Sequence, residues 1–346
     1  MEWFENEELT LIAETVRDLS ARELEGKVVD LERLEKPEFP RPAIDKFSEL
    51  GFLWGLAPED LGSGMDRITT VVILSELAKT CAGFASIVAC HYSAVDAVLS
   101  VPGGLSVLEA ACAGSGPMPL FGVCVPDRVL GTREGSDSCL AMPAPDKVDR
   151  VVVLTGSDPG ARLLVASGGE LRAFVAEKVG LSGCDEMPAA RLTLPDTIPE
   201  VFEVHASGAD AGRGHAVLVS SLKLYFSAIM QGAARSATAY ALGYAKERRQ
   251  TGRPIVFHQN VYKKLAEMET ANQAMASFLF RAACNGEGLE AMLFAFVKAQ
   301  SEHVASEAVQ NLGGYGYMRE YGLEKKLRDI KTLQALLPTL DSFPLN

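Results

Sequence analysis

Three closely spaced glycines near the C-terminal end of the chain have the clearest potential to contact a ligand. A helical run that includes Gln310 stops just before Gly313 and Gly314, and Gly316 follows two residues later. Glycine ends helices, and it also lets the backbone come close to a bound molecule. The pattern predicts a helix, a turn with accessible backbone amides and a second helix. A plain C-cap between two packed helices explains the same pattern.

The helix after this turn is expected to be amphipathic. Leu323, Leu327 and Ile330 recur on one face at helical spacing. Four cations are expected mostly on the other face: Lys325, Lys326, Arg328 and Lys331.

Composition excludes several classes of partner. The chain has 346 residues, a net charge of -12 and 48% hydrophobic residues, which suits a globular protein of two or three domains. An acidic surface does not attract nucleic acid or anionic membrane without specificity. A polyanionic ligand would therefore need a local basic pocket.

Cysteine and histidine usage argues against metal binding. The seven cysteines are scattered without a C-x-x-C pair, and the five histidines form no H-E-x-x-H motif. We expect reduced thiols in a reducing compartment and no metal site. The N-terminal MEWFENEELT has no signal-peptide character, and no apolar run is expected to reach membrane-spanning length. The sequence therefore predicts a cytoplasmic protein.

The elements that position these residues change character along the chain. Residues 1–118 are predicted as an α-helical domain, with helices over 42–50, 68–77, 82–99 and 105–113. Ala82, Gly83, Ala85 and Ser86 permit close helix packing or leave room for a ligand tail, and packing is the commoner use.

A β domain over 119–212 and a helical domain over 213–346 follow. Strands are predicted over 120–125, 151–154, 162–166, 171–176 and 201–204, separated by Gly, Asp and Pro. Long helices are predicted over 216–246, 260–283 and 289–312. The expected fold class is α+β, mostly α.

Three segments resemble the acyl-CoA dehydrogenase family. QNLGGYGYMREYGLEKKLRDIK, from Gln310, looks like its C-terminal signature. YAKERRQTGRPIVFHQ, from Tyr244, is similar to its Y-A-x-x-R-x-x-F-G-x-P-I pattern, with Thr251 in place of the usual aromatic residue. GFLWGLAPEDLGSG, from Gly51, resembles its N-terminal glycine-rich pattern. The resemblance covers both ends of the chain well and the middle poorly.

The resemblance implies an N-terminal helical domain, a middle β domain and a C-terminal four-helix bundle that assembles into dimers or tetramers. It implies the α,β-oxidation of an acyl-CoA or acyl-carrier thioester. FAD would be the cofactor, and an active enzyme would pass its electrons to an electron-transfer flavoprotein. A carboxylate removes the α-proton, and the flavin takes the β-hydride because no side chain can accept one.

The two positions where the family places that carboxylate hold leucine in this sequence. The first position, in the family pattern R-D-x-K-x-x-Q-x-x-E-G-T, is Leu337, and Pro338 replaces the glycine after it. The second, counted back from Arg248 without gaps, is Leu222. Asp341, four residues after Leu337, could be a displaced base, although a solvated residue explains it better.

The cofactor contacts that the resemblance implies are partly present. Arg248 matches the arginine on the FAD pyrophosphate, and Gln310, Gly313 and Gly314 match the backbone-lined ADP site; a surface ion pair and a simple turn explain the same residues. The family's T-E-P-x-x-G-S-D run is replaced by CVPD from Cys124, with GSD again from Gly135. The W-x-T/S strand that covers the flavin ring has no counterpart after Trp54.

Three functions therefore remain open. The chain could be a divergent flavin-dependent acyl-CoA dehydrogenase with an unusual base. It could be a catalytically degenerate subunit paired with a catalytic paralogue in a hetero-oligomer. It could also bind an acyl thioester without redox chemistry. The missing carboxylates and the missing tryptophan motif favour the second and third.

Overall fold

The computed structural model describes residues 6–30, 37–113, 117–126, 138–156, 160–194, 202–285 and 288–337. Within these residues, helices occupy both ends of the chain, and a seven-stranded sheet lies between them in sequence. The predicted α+β class, mostly helical, is confirmed.

The N-terminal helices are α1 (Glu7–Leu19), α2 (Arg41–Glu49), α3 (Arg67–Thr80), α4 (Ala82–Leu99) and α5 (Gly104–Cys112). Asn6 and Asp66 start α1 and α3, because their side-chain oxygens accept hydrogen bonds from amides of the first turn. α4 matches the predicted 82–99 and is buried along almost its whole length. It is therefore the central helix of this part of the fold.

The sheet follows these helices in sequence. Its strands are β1 (Phe121–Pro126), β2 (Ser138–Met142), β3 (Arg150–Thr155), β4 (Arg162–Ser167), β5 (Val175–Val179), β6 (Ala189–Thr193) and β7 (Phe202–Ser207). Their order is β5-β6-β2-β1-β3-β4-β7, with β1 parallel to β3 and the other neighbours antiparallel. β1 is wholly buried, and the Phe121 N–H donates to His91 Nδ1 of α4 at 3.0 Å.

Parts of the sheet differ from the sequence prediction. The expected strand over 171–176 is wrong for most of its length, because a helical turn (Gly168–Leu171) and a 3₁₀ turn (Arg172–Phe174) precede β5. The close approach of Gly168 to the Pro145 and Val148 carbonyls favours this compact turn. β2 and β6 were not predicted, since Thr193 is their only β-branched residue and neither contains an aromatic residue, so their strand propensity is weak.

The C-terminal helices are α6 (Gly208–Glu247), α7 (Gln259–Asn285), α8 (Glu290–Leu312) and α9 (Leu323–Leu336). A two-stranded hairpin, β8 (Arg249–Gln250) and β9 (Arg253–Pro254), follows α6, and the glycine segment forms a 3₁₀ turn (Gly313–Tyr317) between α8 and α9. α6 starts before the predicted residue 216. Residue 214 lies inside α6 although it is a glycine. Glycine is needed there because a Cβ would come within 2.5 Å of the Leu163 side chain on β4.

Two helices reach the length and apolar character of a membrane-spanning segment. α4 and α6 could each cross a membrane by length and composition, so the expectation that no apolar run reaches that length was wrong. Their most apolar windows are 89% and 78% buried inside the fold, which is typical of core helices.

A matched pair of glycines in α6 tests its packing against α3. We expect Gly232→Ala to lower the free energy of unfolding by roughly 1–3 kcal/mol, because the added Cβ would lie 2.1 Å from the Ser75 carbonyl oxygen. Gly243 has open space around it, so Gly243→Ala should raise the free energy of unfolding by up to about 1 kcal/mol. Urea denaturation measures both, and equal effects would contradict the close α3–α6 contact.

Candidate functional site

Both leucines that stand where a proton acceptor is expected are buried. Leu337, the first residue after α9, is 1% exposed, and Leu222 in α6 is 0% exposed. They belong to the same continuous apolar cluster, which extends across the helices and the sheet. Neither side chain carries a lone pair, so neither position can take a proton from carbon.

A carboxylate that the sequence analysis missed lies beside the second leucine. Asp96 on α4 accepts hydrogen bonds from Ser221 Oγ and Tyr225 Oη, both at 2.7 Å, and Ser221 directly precedes Leu222. Burial raises the pKa of Asp96, and the two hydroxyl donors partly oppose that rise. The available signal was that Asp96 is the one acidic residue of α4. Asp96 therefore links α4 to α6 through two hydrogen bonds.

The predicted base candidate Asp341 lies outside the described residues, and so does the GSD run from Gly135.

A buried ion cluster joins α9 to the sheet and to α4. Lys325 Nζ lies 3.1 Å from Glu186 Oε1 and 3.0 Å from Asp329 Oδ2. The side chains of Lys325, Glu186 and Asp329 are only 13%, 1% and 4% exposed. The expectation that Lys325 lies on the polar face of α9 is therefore wrong. Two carboxylates hold its charge inside the fold.

Electrostatics explain how this lysine stays charged. Burial opposes the charge of Lys325, but the Asp329 and Glu186 carboxylates outweigh burial and raise its pKa well above the usual range. Burial also raises the pKa of Glu186, and Lys325 only partly offsets that effect. The ionised form of Glu186 consequently depends on the lysine.

Backbone contacts fix the loop that carries Glu186, residues 181–187, against α9. The Cys184 N–H donates to Asp329 Oδ1 at 2.6 Å, and Arg328 Nη1 donates to the Ser182 carbonyl at 2.6 Å. A Cβ on Gly183 would lie 2.4 Å from the backbone of Arg328, so only glycine permits this approach. The loop, α9 and α4 form one rigid junction.

The residues expected to contact a dinucleotide lie on the surface at one end of the helical bundle. Arg248, Gln310 and Gly314 are exposed. The rings of Tyr244 and Tyr315 are 6.5 Å apart, which brings the last turn of α6 against the glycine segment. Arg248 follows Tyr244 by one turn at the end of α6, and its N–H donates to the Tyr244 carbonyl at 2.8 Å.

This surface has an open backbone and exposed aromatic side chains. Nothing lies within 4 Å of a Cβ built on Gly313 or Gly314, and Gly313 has a φ of 61°. Large apolar side chains are also exposed in the neighbouring segments: Tyr240, Phe257, Tyr262, Tyr315, Tyr317 and Met318. Within the described part of the chain, no group of three or more His, Cys, Asp or Glu side chains is placed to hold a metal ion.

Comparison with known proteins identifies the family. The model of the acyl-CoA dehydrogenase N-terminal domain matches residues 6–103, and that of the acyl-CoA dehydrogenase C-terminal domain matches residues 206–337. The chain belongs to the acyl-CoA dehydrogenase family. Neither match includes residues 104–205.

Relatives and solved structures agree with this assignment. The chain is 28% identical to cyclohex-1-ene-1-carbonyl-CoA dehydrogenase of Syntrophus aciditrophicus over 96% of this chain and 87% of that protein. It is 27% identical to the CarC subunit of the caffeyl-CoA reductase-Etf complex of Acetobacterium woodii, over 94% and 93%. The butyryl-CoA dehydrogenase structure from Megasphaera elsdenii matches with a TM-score of 0.80 at 20% identity, over 97% and 95% of the two chains. This last likeness confirms the acyl-CoA dehydrogenase fold.

The residues that the family would use for FAD fit one half of the cofactor. The exposed Arg248 can pair with a pyrophosphate, and the open backbone at Gly313 and Gly314 leaves room for the ADP half. The ring half does not fit in the same way. Cys124 and Val125, in place of the T-E-P run, are 0% exposed on β1. The Trp54 indole donates to the Pro119 carbonyl at 3.1 Å.

The ion cluster gives a stability prediction. We expect Lys325→Met to lower the free energy of unfolding by about 3–5 kcal/mol at neutral pH, because Glu186 and Asp329 lose their buried counter-charge. Lys331→Met is the control. Lys331 pairs with Glu302 at the surface and its removal should cost less than about 1 kcal/mol.

The same variant should depend on pH. A carboxylate whose folded-state pKa is raised binds protons more readily in the folded protein, so stability falls as pH rises toward that pKa. Burial already raises the pKa of Glu186. Lys325→Met should therefore recover stability relative to the wild type as the pH falls from 7 toward the ordinary pKa of glutamate. A pH-independent difference in urea denaturation would contradict the buried ion cluster.

Proposed function

We propose that the chain binds an acyl thioester as a subunit of an acyl-CoA dehydrogenase assembly and supplies no proton acceptor of its own. The observation that carries this proposal is Leu337, buried to 1% exposure at the position where the family places the carboxylate. The α-proton of a thioester is weakly acidic, so its removal requires a base held against it.

Two buried carboxylates, on α4 and on α9, support this proposal. Asp96 is held by Ser221 and Tyr225, and Asp329 is held by Lys325 and the Cys184 amide. Each of these groups already has strong partners, and Asp329 has a full counter-charge. Moving either toward a substrate would break a buried network.

The partners follow from the same proposal. A catalytic paralogue would supply the carboxylate in a hetero-oligomer, and a homo-oligomer would contain no such group. FAD would lie with its ADP half on Arg248, Gln310, Gly313 and Gly314, and the flavin ring would be covered by the partner. Electron-transfer flavoprotein would accept electrons from the assembly. The acidic chain would work in the cytoplasm.

Proton exchange tests the missing base. In D₂O with butyryl-CoA, the purified chain should bind the thioester by calorimetry, yet leave α-deuteration at the rate of buffer alone when followed by mass spectrometry. Leu337→Glu should gain α-deuteration above that rate, because it restores a carboxylate at the family position. Leu337→Gln, of similar shape and without a charge, should not.

The outcomes separate the readings. Deuteration by the wild-type chain, or bleaching of bound flavin on adding butyryl-CoA, would show that it acts alone as a dehydrogenase. A folded Leu337→Glu that binds butyryl-CoA without exchange would show that residue 337 does not face the α-carbon. That result would remove the basis of the proposal.

The dinucleotide surface gives a separate prediction. Arg248→Ala should weaken ADP binding by about tenfold, because a charge-assisted hydrogen bond to a phosphate is lost. Arg249→Ala is the matched control, since the neighbouring Arg249 donates to the Gly252 carbonyl at 3.2 Å. Calorimetry with ADP measures both. Equal affinities of wild type and Arg248→Ala would exclude this arginine from the site.

A further inference from the structure

One hydroxyl in the centre of the fold has no hydrogen-bond partner. Ser93 on α4 is 0% exposed, and its Oγ is unpaired within the described part of the structure. Other fully buried serines are satisfied: Ser86 Oγ donates to the Ala82 carbonyl and Ser227 Oγ to the Lys223 carbonyl, both at 2.7 Å. A buried polar group without a partner is costly, so native structures rarely keep one without a cause.

Helix geometry shows which way this hydroxyl faces. Successive residues of an α-helix are about 100° apart, so Ser93 lies about 20° from Ser86 around α4 and about 100° from Tyr92. Ser86 Oγ lies 3.8 Å from Cys184 Sγ in the loop over residues 181–187, and the Tyr92 ring lies 6.0 Å from that of Tyr225 on α6. Ser93 therefore faces the seam between α6 and the junction of that loop with α9.

The same face of α4 carries only small side chains. Ala82, Ala89 and Ala97 share an arc of about 80° with Ser86 and Ser93. Such a row by itself serves helix packing. The unpaired hydroxyl distinguishes this row, because close packing alone would place an alanine at residue 93.

The two positions where the family places its base lie on the elements that border this seam. Leu222, one of the two base positions, follows Ser221, which contacts α4 through Asp96 one turn from Ser93. The other position, Leu337, directly follows α9, and Ser86 approaches the loop over residues 181–187 that packs against this helix. An acyl chain lying between these two positions would run along the small-residue face of α4.

We propose that Ser93 is a specificity-determining residue whose hydroxyl hydrogen-bonds an oxygen substituent on the acyl chain of the bound thioester. The inference rests on the proposed function. The preferred ligand is then a hydroxyacyl or ketoacyl thioester. A plain saturated chain would leave the buried hydroxyl unpaired, and sites built around a buried hydrogen-bonding group discriminate strongly against ligands that lack the partner.

Calorimetry with matched ligands tests this assignment. The ligands are octanoyl-CoA and a series of hydroxyoctanoyl-CoA isomers that differ only in the position of one hydroxyl group. The wild-type chain should bind one isomer about 10- to 100-fold more tightly than octanoyl-CoA. Ser93→Ala should lose that preference and keep its affinity for octanoyl-CoA. Ser227→Ala, the control with a satisfied hydroxyl, should keep the preference.

Thermal unfolding gives a readout that needs no ligand. Ser93→Ala removes an unpaired buried hydroxyl, so its unfolding midpoint should equal or exceed that of the wild type. Ser227→Ala removes a made hydrogen bond and should unfold about 2–4 °C earlier. If Ser93→Ala does not fold, Ser93→Cys replaces it, since the thiol is a weak donor and should reduce the preference.

The results distinguish the two proposals. If the wild type binds none of the thioesters, the proposed function fails. If it binds octanoyl-CoA and every isomer alike, or if Ser93→Ala keeps the wild-type preference, only this inference fails and an ordered water satisfies Ser93.

Discussion

The charge of Lys325, held inside the fold by Glu186 and Asp329, is the interaction on which the arrangement of the three regions depends. It connects α9 to the loop between β5 and β6, and that loop lies against α4, where a Cβ on Gly83 would come within 2.0 Å of Glu186 Oε2. Removing one member of such a cluster leaves a buried charge without compensation. The sheet and both helical regions are therefore fixed relative to each other at this point.

This junction also determines what the end of α9 can do. Lys325 to Leu337 spans about 18 Å of helix at 1.5 Å per residue. The cluster lies at the start of α9 and the leucine of the base position lies just past its end. A helix anchored at its first turns presents its last turn at a fixed depth. The ion cluster thus fixes the start of α9, and the residue just past its end is the apolar Leu337.

The fold was predictable where one physical signal dominates. α4 was predicted at its observed bounds because a long apolar run needs both of its sides buried. The start of α6 and the strands β2 and β6 were not predicted. Gly214 is explained by contact with β4, and the Ala-rich β6 is a strand because β2 and β5 pair with it. These explanations rest on tertiary contacts, which local helix and strand propensities do not reflect.

The candidate site divides along the same line. The two leucines and the residues Arg248, Gln310, Gly313 and Gly314 could be proposed from motif spacing, since each motif is a short local segment. Asp96, Glu186 and Ser93 could not be recognised from the sequence, because the environment of each is formed by residues distant in the chain. Lys325 was assigned to the polar face of an amphipathic helix. A periodic pattern cannot show that two carboxylates, one of them 139 residues distant in sequence, form ion pairs with this lysine inside the fold.

Among the buried polar groups that the structure describes, two kinds bear on function. Asp96, Asp329 and Glu186 are matched by donors or by a cation of the chain itself, so they need nothing from a ligand. Ser93 is not matched, although a serine on a helix can bond the carbonyl one turn earlier, as Ser86 does. These carboxylates therefore serve the structure of the fold. This role agrees with the leucines at the two positions where the family places its base. The Ser93 hydroxyl, unsatisfied on the small-residue face of α4, is the group that we propose to be completed by a bound molecule.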